Sequence, residues 1–316
     1  MKQLGFGCVR LTYNLTYRQA ILNLQTAFDA GVTHFDVARL YGFGTAEKIL
    51  GEFIKNKRDQ VTVTSKFGYY PGNPLMGNLY IQNFARFAFR MLKKMPTKKA
   101  AQGAANEIVL QKNFNIADAE KSLHTSLQAL QTDYIDYYLL HEPTVEEACN
   151  PEIIDFLERQ KQKGLIKEYG LGSFVDKIEN NIADLPEDYS VLQSDCSFPY
   201  DFPLHEEWVA SKRLFFFSPF RYYQQTKELL EQDKALAELI SQKMNINVNK
   251  NLVDLFLLHQ LQSPFGSTTL FTSSHNANIK KTIEEWFLLQ KRVSPDSLVL
   301  TEVKQLLQNK LNSAVS

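Results

Sequence analysis

Residues 30–51 read Ala30-Gly-Val-Thr-His-Phe-Asp36-Val-Ala-Arg-Leu-Tyr41-Gly-Phe-Gly-Thr45-Ala-Glu-Lys-Ile-Leu-Gly51. Val32 to Val37 is a short apolar run after a glycine, which predicts a buried strand. Asp36 falls at the end of that strand and Tyr41 in a Gly-flanked turn. Thr45 to Phe53 then carries a helical pattern, with Thr45 as its N-cap. An acid at the C-terminal end of a strand is where α/β proteins keep their chemistry, and a tyrosine five residues later can share its pocket.

Two later strands end in the same way. Val61-Thr-Val-Thr-Ser-Lys66 alternates and ends on a lysine; Tyr134-Ile-Asp-Tyr-Tyr-Leu-Leu-His141 is apolar and aromatic and ends on a histidine before Glu142-Pro143. Taken singly, each polar residue has an ordinary structural explanation: Asp36 as a cap or barrel-end ion pair, Lys66 as a solvated side chain, Tyr41 as packing, His141 as a structural histidine. Together they occupy the ends of three successive predicted strands, inside Phe-Asp-x4-Tyr-Gly, Thr-Ser-Lys-Phe-Gly and Asp-x4-His-x-Pro. That constellation resembles the aldo-keto reductase family.

Outward from these strands the pattern repeats. Strand signals at Leu4–Val9, Ile166–Ser173, Ser190–Ser194, Leu214–Ser218 and Thr268–Thr272 complete a set of eight. Helical patterns lie between them at Tyr17–Ala30, Ile116–Leu130, Pro151–Lys163, Phe174–Ile182, Thr226–Lys243, Asn249–Gln262 and Ile279–Gln290, and Ser294–Leu311 forms a helical C-terminal extension. Alternation of this kind predicts a parallel (β/α)8 TIM barrel, with residues 1–316 as one domain. The segment 69–111 interrupts the rhythm after strand three. Its Pro71-Gly-Asn-Pro74 punctuation is followed by Phe84, Phe87 and Phe89 among Arg86, Arg90, Lys93 and Lys94. Two readings stand for it: an amphipathic surface helix with a solvated basic face, or a lid over the barrel mouth.

Composition narrows the function classes. Of 316 residues 44% are hydrophobic and 22% charged, the composition of an ordinary soluble globular protein long enough for one large core. Lys plus Arg equals Asp plus Glu at 35 each, so no basic excess points to nucleic acid. No apolar run reaches the roughly 18 residues of a membrane span, and the start of the chain has no signal-peptide pattern. Cys8, Cys149 and Cys196 are odd in number and far apart, which suits free thiols in a reducing compartment and predicts a cytoplasmic enzyme. His34, His124, His205, His259 and His275 lack metal-ligand spacing, so no metal is expected, and the absence of a Gly-x-Gly-x-x-Gly run leaves a Rossmann domain unsupported. Nothing in the pattern sets an oligomeric state.

The resemblance implies reduction of an aldehyde, ketone or sugar carbonyl by NADPH, or the reverse oxidation of an alcohol. Tyr41 would be the proton donor, Lys66 and Asp36 the pair that lowers its pKa, and His141 the group that orients the substrate oxygen. On the cofactor side it implies Ser173 in Gly170-Leu-Gly172-Ser173-Phe174, where Gly172 replaces the family's serine and Ser173 its asparagine. It also implies Gln193 to complete the clamp on the nicotinamide amide. Phe217 would stack on the nicotinamide ring; Ser218 and Phe220, in Phe217-Ser-Pro-Phe220, would lie along the pyrophosphate. Arg221 would either assist there or sit as a surface residue. At strand eight the family's NADPH-binding members carry a lysine and an arginine; Thr272-Ser-Ser-His-Asn-Ala-Asn278 here has neither. Ser273 and Asn278 are left as hydrogen-bonding groups, and the preference for NADPH over NADH is expected to weaken. The thinned amide clamp also keeps a second reading open, a nucleotide-binding barrel with weak turnover that acts as a redox-sensing or regulatory subunit.

Overall fold

The computed structural model describes residues 2–12, 16–70, 111–178, 184–202, 206–263, 265, 267–291 and 297–313. Eight strands within these residues are β1 (Gln3–Gly7), β2 (His34–Asp36), β3 (Thr62–Phe67), β6 (Ile135–His141), β7 (Ile166–Gly172), β8 (Val191–Asp195), β9 (Arg213–Phe217) and β10 (Ser267–Phe271). They pair in parallel, in the order β1-β10-β9-β8-β7-β6-β3-β2, and close into a barrel because β1 pairs with both β10 and β2. Tyr69–Tyr70 (β4) and Gln111–Lys112 (β5) form a separate antiparallel ribbon at the end of β3.

Side chains alternate across a strand, so the register decides what faces the axis. His34 stacks on Phe215 and Tyr137 meets both rings at an angle, and Tyr137, Leu139, Val191, Phe215 and Leu270 pack as one cluster inside the barrel. Two residues further along the same strands come Asp36, His141, Gln193 and Phe217, which therefore point to the axis at the C-terminal mouth. Gly170 permits the close approach of β7 to β8: a Cβ there would lie 1.8 Å from the Val191 carbonyl oxygen. The opposite faces of the strands carry Phe35, Val63, Tyr138, Leu140, Leu171, Leu192 and Phe216, which bury the layer between strands and helices.

The helices follow their apolar periodicity and their caps. Ile116–Leu130 buries Ala119, Leu123, Leu127 and Leu130 and is capped by Asn115, whose side chain accepts from the Asp118 N–H. Pro151–Gln162 starts with proline after the capping Asn150. Two expectations change. The helix after Tyr41 spans Thr45–Ile54, but its N-cap is Gly44 at φ 83°; Thr45 is the first helical residue, because the chain enters through a left-handed turn that a glycine accommodates. The predicted Thr226–Lys243 helix is two, Tyr223–Gln232 and Lys234–Met244, broken at Asp233. The Asp233 side chain caps the second helix through the Leu236 N–H at 3.0 Å. The C-terminal helix Ser297–Ser313 is tied down by Lys304 to Asp201 and by Lys310 to Asp233. Most of segment 69–111, and with it the choice between surface helix and lid, lies outside the described residues.

Candidate active site

Three strand ends place Asp36, Lys66 and His141 around one mouth, with Tyr41 beside them. Asp36 and Lys66 are both buried, at 4% and 2% exposure. Lys66 Nζ donates to both carboxylate oxygens at 2.8 Å and to the Val37 carbonyl at 3.0 Å. These three bonds use the three donors of an ammonium. Gln193 Nε2 donates to Asp36 Oδ2 at 2.6 Å. The carboxylate is thus the hub of a buried ionic cluster in which a cation from the neighbouring strand and an amide from across the barrel face it.

Tyr41 reaches this cluster through its ring. Lys66 Nζ lies 5.0 Å from the ring centroid, within cation–π range. The His141 ring meets that of Tyr41 edge-on at 6.0 Å and that of Tyr69 at 5.3 Å. The expectation that Lys66 lowers the Tyr41 pKa is not met in this state. Burial pushes the phenol well above its usual range, and the Asp36 carboxylate adds to the effect. His141 is driven the other way, to about 3, first by burial and then by the Lys66 and Lys177 cations. Near neutrality the site therefore holds a protonated phenol and a neutral imidazole, each able to donate one hydrogen.

The residues expected around a nucleotide divide into two groups. Ser173 follows β7, is 1% exposed, and its Oγ has no hydrogen-bond partner among the described residues. Phe217 is half-buried at the end of β9, edge-on to Phe174 at 5.2 Å. Ser218 is exposed at φ 54°. Thr272, half-buried after β10, also has a buried and unpartnered Oγ1. These groups are available.

The others are already engaged. Gln193 spends a donor on Asp36, and the space a serine side chain would need at Gly172 is crowded: a Cβ there would lie 3.2 Å from Gln193 Oε1 and 3.7 Å from Lys66 Cδ. Arg221 pairs with Asp195 at 2.5 Å, and Asp195 also accepts from the Val175 N–H at 2.8 Å. Phe220 packs on Phe256 in the surrounding shell. Ser273 Oγ accepts from the His275 N–H at 3.2 Å, and Asn278 is exposed in the first turn of the helix Asn276–Lys291.

Sequence reading missed two features. Gln193 belongs to the Asp36 cluster, a contact made across 157 residues that no local pattern signals. Tyr69 meets His141 at the start of the β4–β5 ribbon. Phe198 and Phe202 are core residues, buried against Phe256 and Phe216. Among the described residues no group of His, Cys, Asp and Glu could hold a metal ion, and no helix is long and apolar enough to cross a membrane. All three cysteines are free.

Comparison with known proteins agrees with the fold. The aldo/keto reductase family profile matches residues 3–197. The uncharacterized oxidoreductase YqkF of Bacillus subtilis (strain 168) is 28% identical over 173 residues, 55% of this chain and 45% of its own. D-threo-aldose 1-dehydrogenase of Pseudomonas sp is 26% identical over 185 residues, covering 54% of this chain and 50% of its own. The chain thus spans about half the length of the curated relatives it matches. Among solved structures, the holo form of an aldo-keto reductase from Bacillus halodurans superposes with a TM-score of 0.67 at 19% identity, over 96% of this chain and 91% of that one. An aldo-keto reductase from Klebsiella pneumoniae in complex with NADPH gives 0.64 at 18%, over 96% and 90%. With a family profile over most of the sequence and a closed eight-stranded parallel barrel that gathers an Asp, a Lys, a Tyr and a His at one mouth, this chain belongs to the aldo/keto reductase family.

Proposed function

We propose that the protein reduces an aldehyde, ketone or sugar carbonyl to the alcohol, or runs the reverse reaction, with NADP(H) as cofactor and Tyr41 as proton donor. The observation that carries this is the Asp36–Lys66–Gln193 cluster, with the Tyr41 and His141 rings beside it at the C-terminal mouth. The names of the relatives point the same way: one is a dehydrogenase of an aldose, and one solved neighbour was captured with NADPH.

The available groups fit a nicotinamide nucleotide. The buried, unpartnered Ser173 hydroxyl suits a carboxamide, the Phe217 ring suits an aromatic face, and Ser218 suits phosphate oxygens. A bound nicotinamide supplies the hydride or takes it back. The chain's own residues handle the proton and the substrate oxygen. Tyr41, held protonated by burial, gives its proton as charge develops on that oxygen. The Lys66 ammonium, 5.0 Å from the ring, stabilises the phenolate left behind. Neutral His141 donates to the same oxygen and orients it. Asp36 offsets the charge of the buried ammonium and holds it in place.

One observation favours the second reading, a nucleotide-binding barrel with a regulatory role. All three Lys66 donors go to Asp36 and Val37, leaving its action on Tyr41 to the ring alone. Oxidation of NADPH in the presence of a panel of aldehydes separates the two. Turnover, reduced about 10²–10⁴-fold in Tyr41→Phe with NADPH affinity retained, supports the reductase. NADPH binding without turnover on any aldehyde supports the regulator and overturns the proposal.

A further inference from the structure

Glu47 takes no part in the chemistry above, yet it is a fully buried carboxylate one layer behind it. Its Oε2 accepts from Arg39 Nη1 at 2.8 Å and its Oε1 from Ser65 Oγ at 2.7 Å. Both partners are informative by position. Arg39 lies between Asp36 and Tyr41, and Ser65 immediately precedes Lys66. Strand alternation turns Lys66 toward the barrel axis and Ser65 outward, toward the helix that carries Glu47. One carboxylate therefore grips, from outside the barrel, the two segments that present Asp36, Tyr41 and Lys66 to its mouth.

The segment it grips needs holding. Gly42, Phe43 and Gly44 follow Tyr41 with φ of 56°, 54° and 83°, three consecutive left-handed residues of which only two are glycine. Such a turn persists when its surroundings over-determine it. A Cβ at Gly42 would lie 2.4 Å from Thr12 Oγ1, and one at Gly44 would lie 3.1 Å from Arg39 Nη1, so the turn is held between Thr12 and the guanidinium. Glu47 also sits in the first turn of the helix Thr45–Ile54, where the helix dipole favours a negative charge. Arg39, the Ser65 hydroxyl and the helix terminus together offset the burial of the carboxylate.

We propose that Arg39, Glu47 and Ser65 are positioning residues that clamp the Tyr41 turn to β3, so that the phenol keeps its place against Lys66 and His141. The inference rests on Tyr41 being the proton donor, and its test has a readout that does not need turnover. Full-length protein labelled with [¹³Cζ]tyrosine, with the Tyr41 resonance assigned by Tyr41→Phe, reports the ring's surroundings directly. Arg39→Ala, Arg39→Lys, Ser65→Ala and Glu47→Gln are compared with wild type for that resonance, for NADPH binding by calorimetry, and for kcat, KM and the pH profile of kcat with an aldehyde. In Arg39→Ala the Tyr41 resonance should move or broaden, and kcat should fall about 10- to 100-fold, the scale of a small misplacement of a reacting group. Coenzyme affinity should stay within about twofold, and Arg39→Lys should recover part of the loss. An unchanged Tyr41 resonance and kcat in Arg39→Ala, with only the melting temperature lowered, assigns the cluster to packing and overturns the inference. If Glu47→Gln does not fold, Arg39→Ala and Ser65→Ala carry the test. If wild type binds NADPH but turns nothing over, the proposed reductase activity fails, while the resonance still decides whether the clamp holds Tyr41.

Discussion

Replacing Asp36 by asparagine should destabilise the protein by more than its small change in shape suggests. The carboxylate accepts two bonds from Lys66 and one from Gln193. Asparagine has one acceptor oxygen, and its amide nitrogen would face donors. The Lys66 ammonium, 2% exposed, would then be a buried cation without its counter-charge. Removing one partner of a buried pair costs about 3–5 kcal/mol. Asp36→Asn combined with Lys66→Met removes the stranded charge and should recover at least about half of that loss. Urea unfolding of the three proteins at pH 7, followed by circular dichroism, measures both the loss and its recovery. A single variant within about 1 kcal/mol of wild type, or a double variant that recovers nothing, refutes the picture of Asp36 as the stabilising hub.

Three further outcomes are expected. With Ser273 bonded to His275 and Lys280 turned to solvent beside Glu284, the stretch Thr272–Asn278 presents no lysine or arginine; the NADPH:NADH affinity ratio by calorimetry should stay below about 100-fold, near 2.7 kcal/mol. Burial holds His34 and His141 near 3 and His259 near 4, against a usual 6.5. Because the folded-state values are depressed, stability is full above about pH 6.5 and declines as pH falls toward 3, by up to about 1.4 kcal/mol per unit for each histidine; denaturant midpoints across pH 4–8 check the slope. Gly170→Ala would drive a Cβ to 1.8 Å from the Val191 carbonyl, so β7 and β8 must separate; a loss well beyond the usual 1–3 kcal/mol of overpacking is expected, read as lost soluble yield or a lowered melting temperature.

The Tyr41 phenol illustrates how a local pattern and its surroundings can disagree. An ammonium beside a phenol lowers its pKa when the two groups interact directly. Here the ammonium is already neutralised by Asp36, and what the phenol meets is a buried site with a carboxylate near it. The proton is therefore held firmly in this state. Any facilitation by Lys66 must come as negative charge develops on the phenol oxygen, which is where a proton donor needs it.

Much of the molecule was legible from local order. Apolar runs ending at Asp36 and His141 and an alternating run ending at Lys66 marked strands, 3.6-residue periodicity marked helices such as Ile116–Leu130, and their alternation marked the parallel barrel, because period and length are properties of a short stretch. The strand-end position of three polar residues also followed, since alternation within a strand assigns each side chain a face. What lay beyond reach were contacts between segments far apart in the chain. Gln193 turns to Asp36 because the barrel closes β8 opposite β2, and Gly172 leaves it room. Arg221 is neutralised because β8 ends on Asp195 beside it. Glu47 reads in the sequence as one more polar residue in a helix, and only the packing of that helix over Ser65 makes it a buried clamp. Hydrogen-bond partners and desolvation depend on which segments meet, and that is decided by the closed barrel as a whole.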